Sequence, residues 1–526
     1  MNQKSQSLIR YLALGSAAVC LLWLSGCSLI PMDKFKPAAT PAAWIEPLPS
    51  TQAHDGKLSD LKHWWQQFND PQLIQLIEAA QAVSSDIESA KARVAASQAA
   101  AIVAESQLLP TVTAEASASR SRTGLVFPTG NAASVDVTAS WELDVWGKNK
   151  ADSNEEQAKL VGTKALWHDA RVIVAAETAK QYINYRLCEN LSDIAQKNAD
   201  STAKTEQLSQ LTAKAGFLAP SSLSQSEGQA AEAVNQLKKQ LLQCTLIVKS
   251  LVAITAIPEP KLRGVLANNA GVIPMPAGIE VTAVPAKMLE QRPDVLNAER
   301  NVAAASFEIA YTVAQRYPRL SLSGSIGLTY DTSARNFLLN RRHNALDGLT
   351  WSIGPIAVSL PLFDAGVREA NISAAKAQYE AAKSVYENVV RNAVREVEEA
   401  LATLNSTAQR EADVAKAADR FQISYAASQA RYQASLANLF ELEEARRASL
   451  QAENSVFTLQ NERVLAWISL YHAMGGGWTA EQNTLPQNTP LTLDRGLMPQ
   501  AEGAALEDVQ PAVPAPQETK SLTPVP

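Results

Sequence analysis

The sequence predicts a mixed α and β membrane protein in which each chain carries four barrel strands and two long coiled-coil hairpins. Three observations predict it. The chain is an internal duplication; each copy holds two strands of about ten residues with one apolar and one polar face; and each strand pair is followed by roughly 65 residues of helical pattern without proline. Four strands cannot close a barrel, since closure takes about eight or more, and an open edge is forbidden in lipid. Strands that span a membrane therefore require an oligomer, and three chains give a twelve-stranded barrel.

The 526 residues have the length of two or three ordinary domains, yet Phe, Tyr and Trp make up only 6% while alanine is abundant. That balance suits long, closely packed helices better than a thick globular core. Net charge is −6, from 47 basic and 53 acidic residues with no long basic run, which argues against a nucleic-acid partner. The five histidines lie far apart and none has metal-ligand spacing. No phosphate loop is present, and Ser323-Gly324-Ser325-Ile326-Gly327 matches a nucleophile elbow only loosely, inside a strand pattern. An enzyme is not expected, and no cofactor beyond a covalent lipid.

The elements follow in chain order. Lys4 and Arg10 precede an apolar run from Tyr11 to Leu24, too short for a stable span, that ends in Leu24-Ser25-Gly26-Cys27. Residues 1–26 read as a lipoprotein signal peptide, and Cys27 as the lipidated first residue of the mature chain. Ser28 follows it rather than aspartate, a likeness to bacterial lipoproteins sorted to the outer membrane. Pro31, Pro37, Pro41, Pro47 and Pro49 make 27–60 an extended tether.

The first repeat covers 61–256. Asn69, Asp70 and Pro71 start a helix carrying Leu73, Leu76, Ile77 and Ala80, which is expected to run on to Pro110. The strand hairpin occupies 111–143: Val112, Ala114, Ala116 and Ala118 alternate with polar residues, then Val135, Val137, Ala139, Trp141 and Leu143 do the same. Lys150 to Ala213 is helical, Ala215 to Pro220 turns the chain, and Leu237, Leu241, Cys244, Val248 and Leu251 form the returning stripe. A Pro-rich linker, 257–293, follows.

The second repeat, 294–477, shows the same order. Asp86 matches Asp294 and Val94 matches Val302; beyond an insertion between 320 and 360 the offset grows by about eleven residues, so that Leu143 matches Leu362 and Gly216 matches Ser435. Its strand hairpin is 320–362, with Pro355 and a change of parity between Trp351 and Ile356 suggesting a bulge. Helix runs from about Val367 to Ala434, and Val390, Val394, Val397, Leu401 and Leu404 step by three and four. Residues 478–526, rich in Pro, Thr, Gln and Ala, read as disordered. On patterning alone, soluble hairpins stay open, which would make the chain a pore-less periplasmic coiled-coil scaffold lipoprotein.

Five motifs carry a family likeness: Trp64-Trp65-Gln66-Gln67-Phe68-Asn69-Asp70-Pro71-Gln72-Leu73, Trp141-Glu142-Leu143-Asp144-Val145-Trp146-Gly147-Lys148, Arg292-Pro293-Asp294-Val295, Leu360-Pro361-Leu362-Phe363-Asp364-Ala365-Gly366 and Gly475-Gly476-Gly477. With them the chain resembles the TolC-type outer-membrane factor family, in its lipoprotein branch. The resemblance implies a homotrimer, with a twelve-stranded barrel in the outer membrane continuous with a long periplasmic α-helical coiled-coil barrel. It also implies partners: a periplasmic adaptor and an inner-membrane pump, for this branch of the resistance-nodulation-division type, so that the chain serves as the passive exit duct of a tripartite system. The family's periplasmic gate falls on Phe440, Glu441, Glu444 and Arg447. Two acids three apart share a helix face, and threefold symmetry turns them into carboxylate rings below an apolar constriction at Phe440. A solvated face with Glu443 paired to Arg447 fits the same residues, as does a latch made by Arg447. Cys188 and Cys244 lie equidistant from Gly216, so the return helix brings them to one height; a disulfide and two buried thiols both fit.

Overall fold

The structure is a computed structural model that describes residues 64–122, 129–276, 292–331 and 348–477. The expected signal peptide and tether with Cys27, residues 277–291 of the linker and the tail 478–526 lie outside the described residues.

The first repeat opens with a 3₁₀ turn, Trp64–Phe68, and helix α1, Pro71–Val83. Asp70 caps α1 by accepting the amides of Gln72 at 2.9 Å and Leu73 at 3.2 Å, and Pro71 sits at the first turn, where no amide hydrogen is needed. The single helix expected from Asp70 to Pro110 is instead broken. Ser84, at φ −66° and ψ 121°, ends α1 and caps α2, Ser85–Ser106, its hydroxyl accepting the Ile87 amide. A serine that satisfies an orphan amide lets the chain bend at little cost.

Strands β1, Thr111–Ser121, and β2, Gly130–Leu143, form the first hairpin. Helix α3 then runs 67 residues, Lys148–Lys214, roughly 100 Å at the helical rise. Gly147, at φ 75°, makes the strand-to-helix corner, and Gly366, at φ 89°, makes the matching corner of the second repeat; both are left-handed conformations that favour glycine. The chain reverses at Gly216 and returns as α4, Pro220–Thr255. Among the described residues of the expected linker stands a further helix, α5, Glu259–Leu266, with Leu262 and Leu266 fully buried.

The second repeat has α6, Pro293–Ala314; β3, Arg319–Asp331; β4, Gly348–Ser359; α7, Val367–Gln433; and α8, Leu439–Ala473, ending on a 3₁₀ turn, Gly475–Gly477. Its reversal places Ser435 at φ 60°, where the first repeat has glycine.

The four strands make one antiparallel sheet in the order β1-β2-β3-β4. Beneath it the helices keep that order, since α2 packs on α3, α3 on α6, and α6 on α7. Further along the long helices the neighbours change: α3 packs on α4 and α8, and α8 on α7. The largest core lies where these tiers meet. There Trp64, Leu73 and Leu76 join Tyr182, Ile183 and Leu251 of the first repeat to Val397, Leu401, Ile468 and Leu470 of the second. In the expected α4 stripe Val248 and Leu251 are buried, but Leu241 is 48% exposed. An edge helix packed mainly on α3 covers only part of its stripe.

Candidate functional site

The strand register sets the two faces of the sheet. Val112, Ala114 and Ala116 of β1 stand opposite Ala139, Val137 and Val135 of β2; Val135, Val137 and Trp141 in turn face Leu328, Ile326 and Leu322 of β3; and these continue to Leu349, Trp351 and Ile356 of β4. Directly opposed residues share a face, so one unbroken apolar face crosses all four strands. The other face carries Thr113 with Thr138, Glu115 with Asp136, and the hydrogen-bonded pairs Ser117–Ser134 and Ser325–Ser352. The expected bulge is present. The register slips between Leu322 and Gly324, so Gly354 and Pro355 are inserted opposite the one residue Ser323, returning Ile356 to the apolar side despite the parity change.

That apolar face is uncovered. Trp351 is 71% exposed, Ile353 84% and Val358 67%, far more contiguous apolar area than a water-facing sheet carries. Among the described residues the outer edges of β1 and β4 have no strand partner. No single described helix is long and apolar enough to cross a bilayer.

At the far end of the hairpins, Asn438 caps α8 by accepting the Glu441 amide at 2.8 Å. Glu441 is tied to Arg431 of α7, whose guanidinium donates to its carboxylate. Phe440 (62% exposed), Glu444 and Arg447 border a cleft of about 380 Å³ between α8 and the first hairpin, with Thr205, Ser209 and Gln229 opposite. Within the chain Glu443 pairs with Arg446 rather than with Arg447. The buried Glu443 also accepts from Thr205 Oγ1 at 2.6 Å, so it ties the second hairpin to the first. The Cys188 and Cys244 Cα atoms are 5.5 Å apart, their sulfurs in contact.

The family model for outer membrane efflux proteins matches residues 76–256 and 284–476, most of the chain and both repeats. The chain belongs to the outer membrane efflux protein family. The solvent efflux pump outer membrane protein SrpC of Pseudomonas putida is 28% identical over 477 residues, 88% of this chain and 98% of that one. Among solved structures, the outer-membrane channel OprN superposes with a TM-score of 0.73 at 23% identity, over 85% of this chain and 98% of that one. The Campylobacter jejuni CmeC outer membrane channel gives 0.72 at 20% identity, over 87% and 96%. As an outer membrane efflux protein the chain works at the outer membrane as a transport channel and performs no catalysis.

Sequence reasoning missed the buried charges that hold the efflux protein's middle together. Tyr182 donates to Asp70 at 2.6 Å; Arg186, fully buried, donates to Tyr182, to Glu189, and to the carbonyls of Leu266 at 2.8 Å and Asn268 at 2.6 Å. Burial, then the hydrogen bond to Asp70, raises the Tyr182 pKa. In the second repeat Arg292 donates to Asp294 at 2.8 Å, Glu396 at 2.9 Å and the Ala473 carbonyl at 2.9 Å. Beside it burial, then the Asp294 charge, pushes the Asp169 carboxyl up to about 6. Arg186 binds the linker at Leu266 and Asn268, and Arg292 fixes the linker's far end to the second repeat. For Arg292 the Arg-Pro-Asp motif was a signal; Arg186 lies in an unbroken helical pattern and offers none.

Proposed function

We propose that three copies of the chain join β4 of one to β1 of the next, closing a twelve-stranded barrel continuous with a helical tunnel across the periplasm. The observation that carries this is the strand order β1-β2-β3-β4 with both outer edges unpaired and one face apolar throughout. Unpaired edges cannot remain in lipid, and a head-to-tail contact that closes after a few copies is a ring. The helices in the same order extend that wall below the sheet.

In this reading the duct is passive: a periplasmic adaptor opens it, and an inner-membrane pump of the resistance-nodulation-division type drives solutes through it. Phe217, 84% exposed, and Leu436, 70% exposed, sit at the matching turns of the two hairpins and offer the adaptor an apolar contact. Three of the relatives are named for solvent, toluene and pyoverdine, a chemical range that fits selection by the pump. A diacylglyceryl group on Cys27 adds an anchor, and a Cys188–Cys244 disulfide staples the first hairpin.

Phe440, Glu441, Glu444 and Arg447 form the periplasmic gate, with the two acids repeated as rings by the threefold axis. Purified protein in planar bilayers is expected to conduct and to be blocked by trivalent cations from the periplasmic side. Replacing Glu441 and Glu444 together with glutamine should weaken that block at least about tenfold, because ring charge attracts the blocker. Unchanged block would remove both acids from the pore; trimers that never conduct would overturn the duct.

A further inference from the structure

Where the sheet meets the helices, the two outer corners of the chain are apolar and open. Between β4 and α7, Leu362 and Phe363 are each 90% exposed and Val367 is more than half exposed; between α2 and β1, Val103, Leu109 and Val112 are more than half exposed as well. The inner corner, between β2 and α3, shows what such a feature packs on. There Leu143 stands opposite Leu320 of β3, Trp146 stacks on Tyr317 with 4.8 Å between ring centres and donates to the Pro318 carbonyl at 2.8 Å, and Glu142 bonds to Lys148 at 2.9 Å and to Arg319 at 2.7 Å. The duplication carries each of these partners to an outer corner. Leu143 corresponds to Leu362 and Leu320 to Val112; Trp146 to Ala365 and Tyr317 to Leu109; Glu142, Lys148 and Arg319 to Pro361, Val367 and Thr111. The charged groups have become uncharged ones, and Phe363 brings an aromatic ring to the side that has alanine in place of Trp146.

We infer that the two outer corners are halves of one joint between copies: the β4–α7 corner of one chain seats on the α2–β1 corner of the next, in the register of the inner β2–β3 contact and with Phe363 buried in it. The inference rests on the seam proposed above and specifies it. It sets Leu362 opposite Val112 of the next copy, Val358 opposite Ala116 and Ile356 opposite Ala118. These strand residues all lie on the apolar face of their own sheet, whereas a slip of one residue would set that face against the polar one. Acyl chains could cover the same side chains, but they would leave the backbone at the ends of β4 and β1 without hydrogen-bond partners. A second copy satisfies both.

Oxidation of paired cysteines tests the register, in full-length protein in the outer membrane and in a background without Cys188 and Cys244. Val358→Cys with Ala116→Cys, and Ala357→Cys with Ser117→Cys, are expected to link different chains. Val358→Cys with Val112→Cys or with Arg120→Cys, about 13 Å out of step along the strand, is not. In detergent, Phe363→Ser leaves the core of the single chain untouched and should raise the protein concentration at which trimers half-dissociate at least about tenfold, as loss of a buried aromatic anchor does. Val145→Ser, an exposed apolar residue of the inner corner, should leave that concentration unchanged. Links between chains at another register overturn the joint while the trimer stands; no links between chains in any pair, with monomers throughout, removes the trimer as well. A Phe363→Ser trimer as stable as wild type gives the ring to lipid and overturns the joint.

Discussion

At the scale of the residue, the middle of the molecule rests on charges taken out of water. Arg186 holds two backbone carbonyls at the end of α5 and just past it, those of Leu266 and Asn268. Its replacement by methionine keeps most of the volume, orphans those carbonyls and leaves Glu189 without its cation. The expected loss is about 3 kcal/mol, read from chemical unfolding midpoints, together with faster proteolysis after Leu266; a loss under about 1 kcal/mol would show the network to be incidental. Glu308 of α6 gives a prediction of opposite sign. Burial, followed by a hydrogen bond with Glu155 of α3, pushes its carboxyl up to about 7 from 4.5. Between those values the folded state keeps a proton that the unfolded chain has lost, so the stability Glu308 contributes is present in acid and lost as pH rises through about 7. Relative to wild type, Glu308→Gln should therefore gain stability steadily from pH 5 to pH 8. Asp169 and His472 titrate in both proteins and cancel in the difference, and a difference independent of pH would contradict the assignment.

At the scale of the element, the strands were legible because a period of two leaves no ambiguity of face, and Pro355 with the parity change marked the bulge. The long helices were legible from length and the absence of proline. The break at Ser84 was not, because apolar periodicity continues on both sides and only the serine's bond to the Ile87 amide distinguishes a bend from a continuous helix. At the tip, the sequence placed the acids but not their partners. Which of Arg446 and Arg447 turns inward depends on the rotation of α8, fixed by Thr205 on a helix of the other repeat. The two cysteines were placed at one height by counting from Gly216, and their Cα separation of 5.5 Å allows the bond. Tryptic mapping without reductant is expected to return the two cysteine peptides linked; two alkylatable thiols would refute the staple.

At the scale of the whole molecule, the duplication does most of the explaining. It supplies strands and helices in one shared order, so that a single lateral contact, repeated, closes the membrane wall and the tunnel below it. The likeness to known outer membrane channels supports that fold, while the unpaired edges call for further copies to close the wall. Cysteines introduced one at a time along β1, each combined with one along β4, test the contact itself, in a protein whose Cys188 and Cys244 have been replaced. Oxidation in the outer membrane is predicted to give, at neighbouring registers, a ladder of one, two and three chains that stops at three. Bonds formed only within one chain, or a ladder that continues past three, would contradict the closed trimer.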